Sequence, residues 1–90
     1  MINVNIENDD SEDNFVVVID QNLNPPAAVP GYGGGGKRLN SKAAAPAQIQ
    51  EDGAGNGNLA WTAIRCNDVT VSKNGAANPQ AGDTVLVSAS

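Results

Sequence analysis

The segment from Asn22 to Asn58 constrains the fold of this chain more than any other feature. It is rich in Gly, Ala, Pro and Asn and nearly free of large apolar side chains. Its run Pro30–Lys37 contains four consecutive glycines, and such a run cannot bury enough apolar surface to offset the entropy lost on ordering it. We therefore expect contacts from outside the chain to hold the segment, as an arm or extended loop that lies on a neighbour.

The chain as a whole allows one small domain with a thin core. Its 90 residues include nine Val, five Ile and four Leu, but only one each of Met, Phe, Trp and Tyr. Domains of this size depend on disulfides, metals or oligomerisation. The single cysteine, Cys66, cannot close a disulfide within the chain, and there is no His to help hold a metal. The remaining source of stability is oligomerisation or docking on a larger body. The alternative is a small, imperfectly packed monomer.

Hydrophobic patterns predict an all-β protein. Ile2–Ile6 alternates apolar and polar residues, and Phe15–Ile19 is a continuous apolar run. We expect these two strands to pair as a hairpin. Three further strands are predicted at Leu59–Cys66, Val69–Lys73 and Thr84–Ser88. The pattern favours a small sandwich or partly open barrel of short antiparallel strands.

Three parts of the chain are expected to form one domain. Residues 1–21 carry the first strands and an acidic loop, residues 22–58 form the long Gly/Ala/Pro-rich arm or loop, and residues 59–90 form a C-terminal β segment. Trp61 is expected as the main core anchor, with an interface position as the alternative. Cys66 is expected as a small core residue. The other expected core side chains are Phe15, Val17, Ile19, Ile64, Val69, Val71, Val85 and Val87.

Charge is distributed unevenly. The net charge is −5, and the first twenty residues hold six of the ten acids and no base. This sign argues against direct nucleic-acid binding. The acidic segment Glu7–Asp13 is either a solvated loop or a surface for a basic partner. Its acids Asp9, Asp10, Glu12 and Asp13 are also candidates for a weak calcium site, although the spacing lacks the glycine of an EF-hand loop.

No motif predicts an enzyme or a cofactor. Gly31–Lys37 resembles the start of a phosphate-binding loop, but Arg38 stands where Ser or Thr is required, and no strand leads into it. Cys66 has no His to act as its base, which excludes a Cys–His nucleophile. We therefore expect a non-enzymatic protein without a cofactor.

Several residues are instead predicted at interfaces. Tyr32 lies alone among glycines, where nothing local can bury it, and is a candidate anchor on a neighbour. Lys37 and Arg38 are candidates to contact an acidic patch, such as the acidic segment of another copy. Strand addition to a partner sheet is predicted through Ile2, Val4 and Ile6.

Targeting signals are not predicted. The first residues have no basic region followed by a long apolar stretch, and no apolar run reaches the roughly 18 residues that span a bilayer. We expect a protein made in a cytoplasm, without a signal peptide or transmembrane segment.

In its short β core, long Gly/Ala/Asn-rich arms, few Lys and absence of His, the chain resembles small virion proteins of tailed bacteriophages, such as capsid decoration (cement) proteins. This resemblance implies a structural component of the virion that binds a major capsid protein, another virion protein or copies of itself and stabilises the shell. The alternative is a free acidic module that inhibits a basic protein.

Overall fold

The protein is a two-sheet β-sandwich. A computed structural model describes residues 1–90 and contains eight strands and no helix, which confirms the predicted all-β fold. The small sheet has the order β5-β1-β8, and the large sheet has β2 between β6–β7 on one side and the short β3 and β4 on the other. The strands are β1 Ile2–Asn8, β2 Asn14–Asp20, β3 Ala27–Ala28, β4 Lys37–Leu39, β5 Ala44–Ile49, β6 Leu59–Arg65, β7 Ser72–Ala77 and β8 Thr84–Val87.

Strand β1 is the central strand of the small sheet. It pairs antiparallel with β5 and parallel with β8, so its own chain occupies both of its edges. Val4 and Ile6 are buried in the core, while Ile2 is half-buried at the strand end. The prediction that these residues add as a strand to a partner is therefore wrong. The predicted hairpin with β2 is also wrong, because β1 and β2 lie in opposite sheets.

Strand β2 buries the face opposite to the one predicted. Val16 and Val18 are fully buried, whereas Phe15, Val17 and Ile19 lie half-buried on the outer surface of the large sheet. An apolar run of five residues has no polar position to show which face turns inward. These three side chains are therefore not core residues.

The polar residues at the two ends of β2 account for its orientation. The Asn14 Oδ1 accepts a hydrogen bond of 2.9 Å from the Ala89 amide, which follows β8 in the small sheet. The Asp20 Oδ2 accepts one of 2.9 Å from the Gln50 amide, which follows β5. Both polar groups are buried and need partners, and the opposite sheet supplies them. Inward Asn14 and Asp20 place Val16 and Val18 inward as well.

In the C-terminal third, β7 spans Ser72–Ala77 and not the predicted Val69–Lys73. Val85 and Val87 of β8 are buried, whereas Trp61 and Val71 are half-buried against the core. Val69, predicted in the core, is 66% exposed on the turn that precedes β7.

Two other residues of this region lie outside the buried core. Ile64 is half-buried on the outer face of the large sheet, because its strand β6 alternates and buries Leu59 and Ala63 instead. Cys66, predicted inside the core, is only half-buried on the turn after β6.

The segment 22–58 is part of the sandwich rather than an arm. It contributes β3, β4 and β5, and it buries four large apolar side chains, Val29, Tyr32, Leu39 and Ile49. Glycines between these residues allow the chain to reach each buried position. The expectation that a neighbour must hold this segment is corrected by this packing.

Tyr32 reaches the core through a tight turn. Pro30 and Gly31 occupy its centre, Gly31 has φ of 89°, and the Tyr32 amide donates to the Val29 carbonyl at 2.8 Å. Proline followed by a glycine with positive φ is the signature of a type II turn. The turn places Val29 and Tyr32, both 1% exposed, into the core. The expected role of Tyr32 as an interface anchor is therefore wrong.

The sandwich is closed on one long side and open on the other. On the closed side, the segment 40–43 links β4 to β5, and the Tyr32 hydroxyl donates to the Ala45 carbonyl at 3.1 Å. On the open side, the edge strands are β8 of the small sheet and β7 of the large one, and they do not pair. None of the chain forms a helix of the length and apolarity needed to cross a membrane.

Candidate interaction site

The two outer faces of the sandwich differ in polarity. On the small sheet, the outward positions of the central strand β1 are Asn3, Asn5 and Glu7, and those of the edge strand β5 are Ala44, Pro46 and Gln48. This is the polar surface expected of a sheet that faces water on one side.

The large sheet is mostly apolar on its outward face, with six apolar and three polar positions across β2, β6 and β7. Across β2 and β6, Phe15 lies opposite Ile64, Val17 opposite Thr62 and Ile19 opposite Ala60. All six are half-buried by their neighbours in the sheet, and no further layer of the chain covers them. We call this surface the apolar face. Its positions are Phe15, Val17 and Ile19 of β2, Ala60, Thr62 and Ile64 of β6, and Ser72, Asn74 and Ala76 of β7.

Charge is absent from the apolar face. None of its nine positions is acidic or basic, although the chain carries ten acids. At its edge, Arg38 of β4 lies opposite Phe15 and is paired with Asp13 at 2.8 Å. An apolar, uncharged patch with a polar rim is typical of a protein contact surface.

Three of the four acids in the loop between β1 and β2 have a basic partner within the chain, and Glu12 is the exception. Asp13 pairs with Arg38, Asp9 pairs with Lys42 at 3.2 Å, and Asp10 lies 3.3 Å from Arg65. Arg38 thus contacts an acidic patch, as expected, but the patch is the loop of its own chain and not a neighbour.

Asp10 is the buried centre of this loop and is only 2% exposed. Desolvation acts to raise the pKa of its carboxyl, but hydrogen bonds from the Asn14 amide group and the Glu12 backbone, together with Arg65, outweigh it and lower that pKa. With these donors in place, the Asp10 oxygens are already occupied. No group of three or more His, Cys, Asp or Glu side chains in the chain is arranged to hold a metal ion.

The glycine-rich loop leads into strand β4 and not into a helix, unlike a phosphate-binding loop. Lys37 lies with its Nζ 5.9 Å from the centre of the Tyr32 ring, at the distance of a cation–π contact. Burial raises the pKa of Tyr32 to about 12. The predicted interface residues Tyr32 and Lys37 thus contact one another.

The apolar face is absent from the sequence predictions, although the sequence contains a signal for it. The unbroken run Phe15–Ile19 is apolar on both faces of the strand, and only one face can turn to the core of a two-layer sandwich. The remaining face must be covered by another layer or another molecule. Thr62 and Ala60, which complete the face, carry no signal of their own.

No protein-family model matches the chain, and the chain matches no curated protein and no solved structure.

Proposed function

We propose that this protein is a non-enzymatic structural component of a multi-copy assembly, in which copies join through their apolar faces. The observation that carries the proposal is the uncharged surface around Phe15, Val17 and Ile64. Two twisted sheets can pack face to face at a small angle through such residues.

Electrostatics favour this face for contact between copies. Each copy carries a net charge of −5, so two copies repel wherever their acidic surfaces meet. The apolar face has no acid at any of its nine positions. Contact there buries apolar surface and keeps the acids apart, whereas contact through the small sheet would bring Glu7 of one copy near the other.

The size of the face suits a shared, multi-copy contact better than an isolated dimer. Three strands spaced about 4.8 Å apart and about six residues long, at about 3.3 Å per residue, cover roughly 280 Å² in projection. A stable two-protein interface uses about 800 Å² of accessible surface per partner. A single contact of this kind is weak and joins only two copies, so the pairs need a second contact, such as one with the shell protein, before the contacts of an assembly can add up.

We infer the kind of assembly from the compositional resemblance to virion proteins. A decoration or minor protein of a bacteriophage capsid, located in the virion, is the member of this class that we propose. Its partners would be its own copies and the shell protein beneath them.

The alternative of an acidic inhibitor has less support. It needs several free acids, yet Asp9, Asp10 and Asp13 already contact basic side chains of their own chain. Only Glu7 and Glu12 of the acidic segment are left without a basic partner. A basic target would have to displace these contacts before it could bind the loop.

The test is the concentration dependence of association. In the double variant Val17→Thr with Ile64→Thr, both changes keep β-branched side chains suited to a strand and remove apolar surface. Sedimentation velocity should show association of the wild type, weakened at least about tenfold in the variant, which corresponds to about 1.4 kcal/mol.

The matched control is Val69→Thr, a similar change at an exposed site on the turn outside the face. It should associate as the wild type does. A wild type that stays monomeric at millimolar concentration, or a double variant that associates equally well, contradicts the proposal.

A further inference from the structure

The open side of the sandwich contains a groove that is separate from the apolar face. Two adjoining cavities, of about 520 and 330 Å³, run along it between β7 and β8. Trp61, Lys73 and Leu86 line both cavities. We call this the edge groove.

One wall of the edge groove is an unpaired strand edge. The carbonyls of Asp83 and Val87 accept bonds of 2.9 and 2.8 Å from amides of β1 and the residue after it, so they point towards that strand. Backbone direction alternates along a strand, so Thr84 and Leu86 direct their backbone groups away from β1. No strand lies on that side of β8. Leu86 is also 54% exposed, which is rare for a large apolar residue in this chain.

The opposite edge of the small sheet is protected against strand addition. Strand β5 carries Pro46, which has no amide hydrogen to donate. The Tyr32 hydroxyl also donates to the Pro46 carbonyl at 3.4 Å. Edge strands are commonly blunted by such features, and β8 has no proline or charge among its four residues.

Trp61 forms the floor of the groove. Its indole lies across Gly75 of the neighbouring strand, so that a Cβ at this glycine would overlap the ring. The glycine lets the indole lie close over β7, where the side chain remains partly exposed. An apolar side chain that enters the groove would therefore rest on the indole.

Lys73 supplies a charge that the chain does not use. The other four basic side chains each have a partner: Arg38, Lys42 and Arg65 pair with acids, and Lys37 lies over Tyr32. Lys73 forms no ion pair within the chain although it lines both cavities. Each cavity also has one acid in its lining, Asp83 in the larger and Asp9, which is paired with Lys42, in the smaller.

A single added strand needs only the free edge of β8, whereas a second sandwich would have to fit beside β7 as well. Residues of β7 line the cavity beside β8, so the large sheet already lies beneath the space in which a strand would add to β8. Another copy that docked its own β8 there would bring its large sheet into the same layer as β7. A lone extended segment brings no second layer.

We propose that the edge groove binds one extended segment of a different protein, which adds as a strand beside β8. The segment places small apolar side chains on Trp61 and an acidic side chain towards Lys73. Backbone bonds to Thr84 and Leu86 supply affinity, and the side chains that point into the groove supply specificity. Through this site the assembly component binds a second kind of subunit. It is separate from the apolar face, so either can fail without the other.

The probe is a seven-residue peptide with blocked ends in which Val alternates with Thr and one groove-facing Val is replaced by Asp. The protein carries Val17→Thr and Ile64→Thr, so that self-association does not interfere. Because Trp61 is the sole tryptophan, its fluorescence reports occupancy. We expect saturable binding and slower hydrogen exchange of the Leu86 amide.

Two controls test backbone pairing and charge separately. A peptide with the same side chains but N-methylated at its strand-pairing amides should not bind. A peptide with Lys in place of Asp should bind about threefold more weakly, as expected for an exposed ion pair, and Lys73→Glu should reverse that preference.

Several outcomes would overturn the proposal. These are no fluorescence change at millimolar peptide, binding that survives N-methylation, or a preference that Lys73→Glu leaves unchanged. Protection of Leu86 that rises with protein concentration in the absence of peptide would assign the groove to a second copy instead.

Discussion

Tyr32 fixes the glycine-rich segment to the rest of the protein. Its ring is buried in the core, and its hydroxyl donates to the Ala45 carbonyl across the closed side of the sandwich. The sequence does contain a signal for this position, since Pro30–Gly31 is a turn dipeptide placed between two large apolar residues. Glycines around a lone tyrosine nevertheless resemble an exposed anchor, because the core residues that bury it lie far away in sequence.

Substitutions at Tyr32 should separate packing from hydrogen bonding. We expect Tyr32→Ala to lower the free energy of unfolding by about 3–4 kcal/mol, because it leaves a large cavity. Tyr32→Phe removes only the hydroxyl and should cost about 1 kcal/mol. Urea unfolding measures both. Equal and small effects would place the ring outside the core.

Asp10 makes the stability of the protein sensitive to acid. Its pKa lies below the ordinary value of 3.8, and the pKa of Asp52 is lowered too, by hydrogen bonds from the Asn56 and Ala54 amides. A lowered pKa in the folded state stabilises the protein at pH values above the unfolded value. That stabilisation is lost as pH falls through the folded value.

We therefore expect the free energy of unfolding to decline as pH falls below about 4. Asp10→Asn should cost about 1–2 kcal/mol at pH 7 and flatten the decline, because its charge-assisted bond to Arg65 is gone. Urea titrations at a series of pH values measure this. A variant with the same slope as the wild type would show that Asp10 does not contribute.

The glycine-rich loop before β4 depends on close contact at one position. Gly36 has φ of 92°, and a Cβ there would lie 3.0–3.2 Å from backbone atoms of Val16. Gly35, one residue earlier, has no positive φ, and a Cβ added there would meet no atom within 4 Å. The two glycines therefore differ in both backbone conformation and surroundings.

This neighbouring pair gives a matched test of the loop. Gly36→Ala should destabilise the protein by about 1–3 kcal/mol, because it combines backbone strain with a clash against β2. Gly35→Ala should be neutral or stabilising by a few tenths of a kcal/mol, because it stiffens the unfolded chain. Thermal or urea unfolding of both variants measures the difference, and equal effects would mean that β4 does not pack on β2 as described.

At the scale of the elements, strand positions are more predictable than the faces they bury. Strands β1, β2, β6 and β8 follow from apolar alternation or apolar runs. Strand β7 does not, because Asn74 and Gly75 resemble a turn, and the predicted strand Val69–Lys73 overlaps it only at Ser72 and Lys73. Pairing with β6 keeps the rest of β7 extended. Which face of β2 turns inward depends on Asn14 and Asp20 finding partners in the other sheet, which no local pattern shows.

At the scale of the whole molecule, a single small core leaves two separate surfaces free. The apolar face lies on the outside of the large sheet, and the edge groove lies on the open side between the sheets. The sequence predicts neither, because both depend on contacts between distant strands. Their separation suits a component that joins copies of itself through one surface and holds another subunit through the other.

This separation is itself testable. The variant with Val17→Thr and Ile64→Thr should remain folded, with the wild-type Trp61 emission spectrum, because neither position lines the groove. A shifted spectrum with loss of β-sheet circular dichroism would show that the outer face is needed for folding rather than for contact.

The fold of the whole molecule depends on segment 22–58 packing against its own chain. This packing leaves the outer surfaces free for neighbours. Native-state hydrogen exchange on the dilute monomer tests this directly. The amides of Val29, Lys42 and Gln50 donate to Val18, Asn8 and Asp20. We expect all three to exchange far more slowly than in an unfolded chain. Exchange throughout residues 22–58 at the unfolded rate, with protection only after association, would contradict this claim.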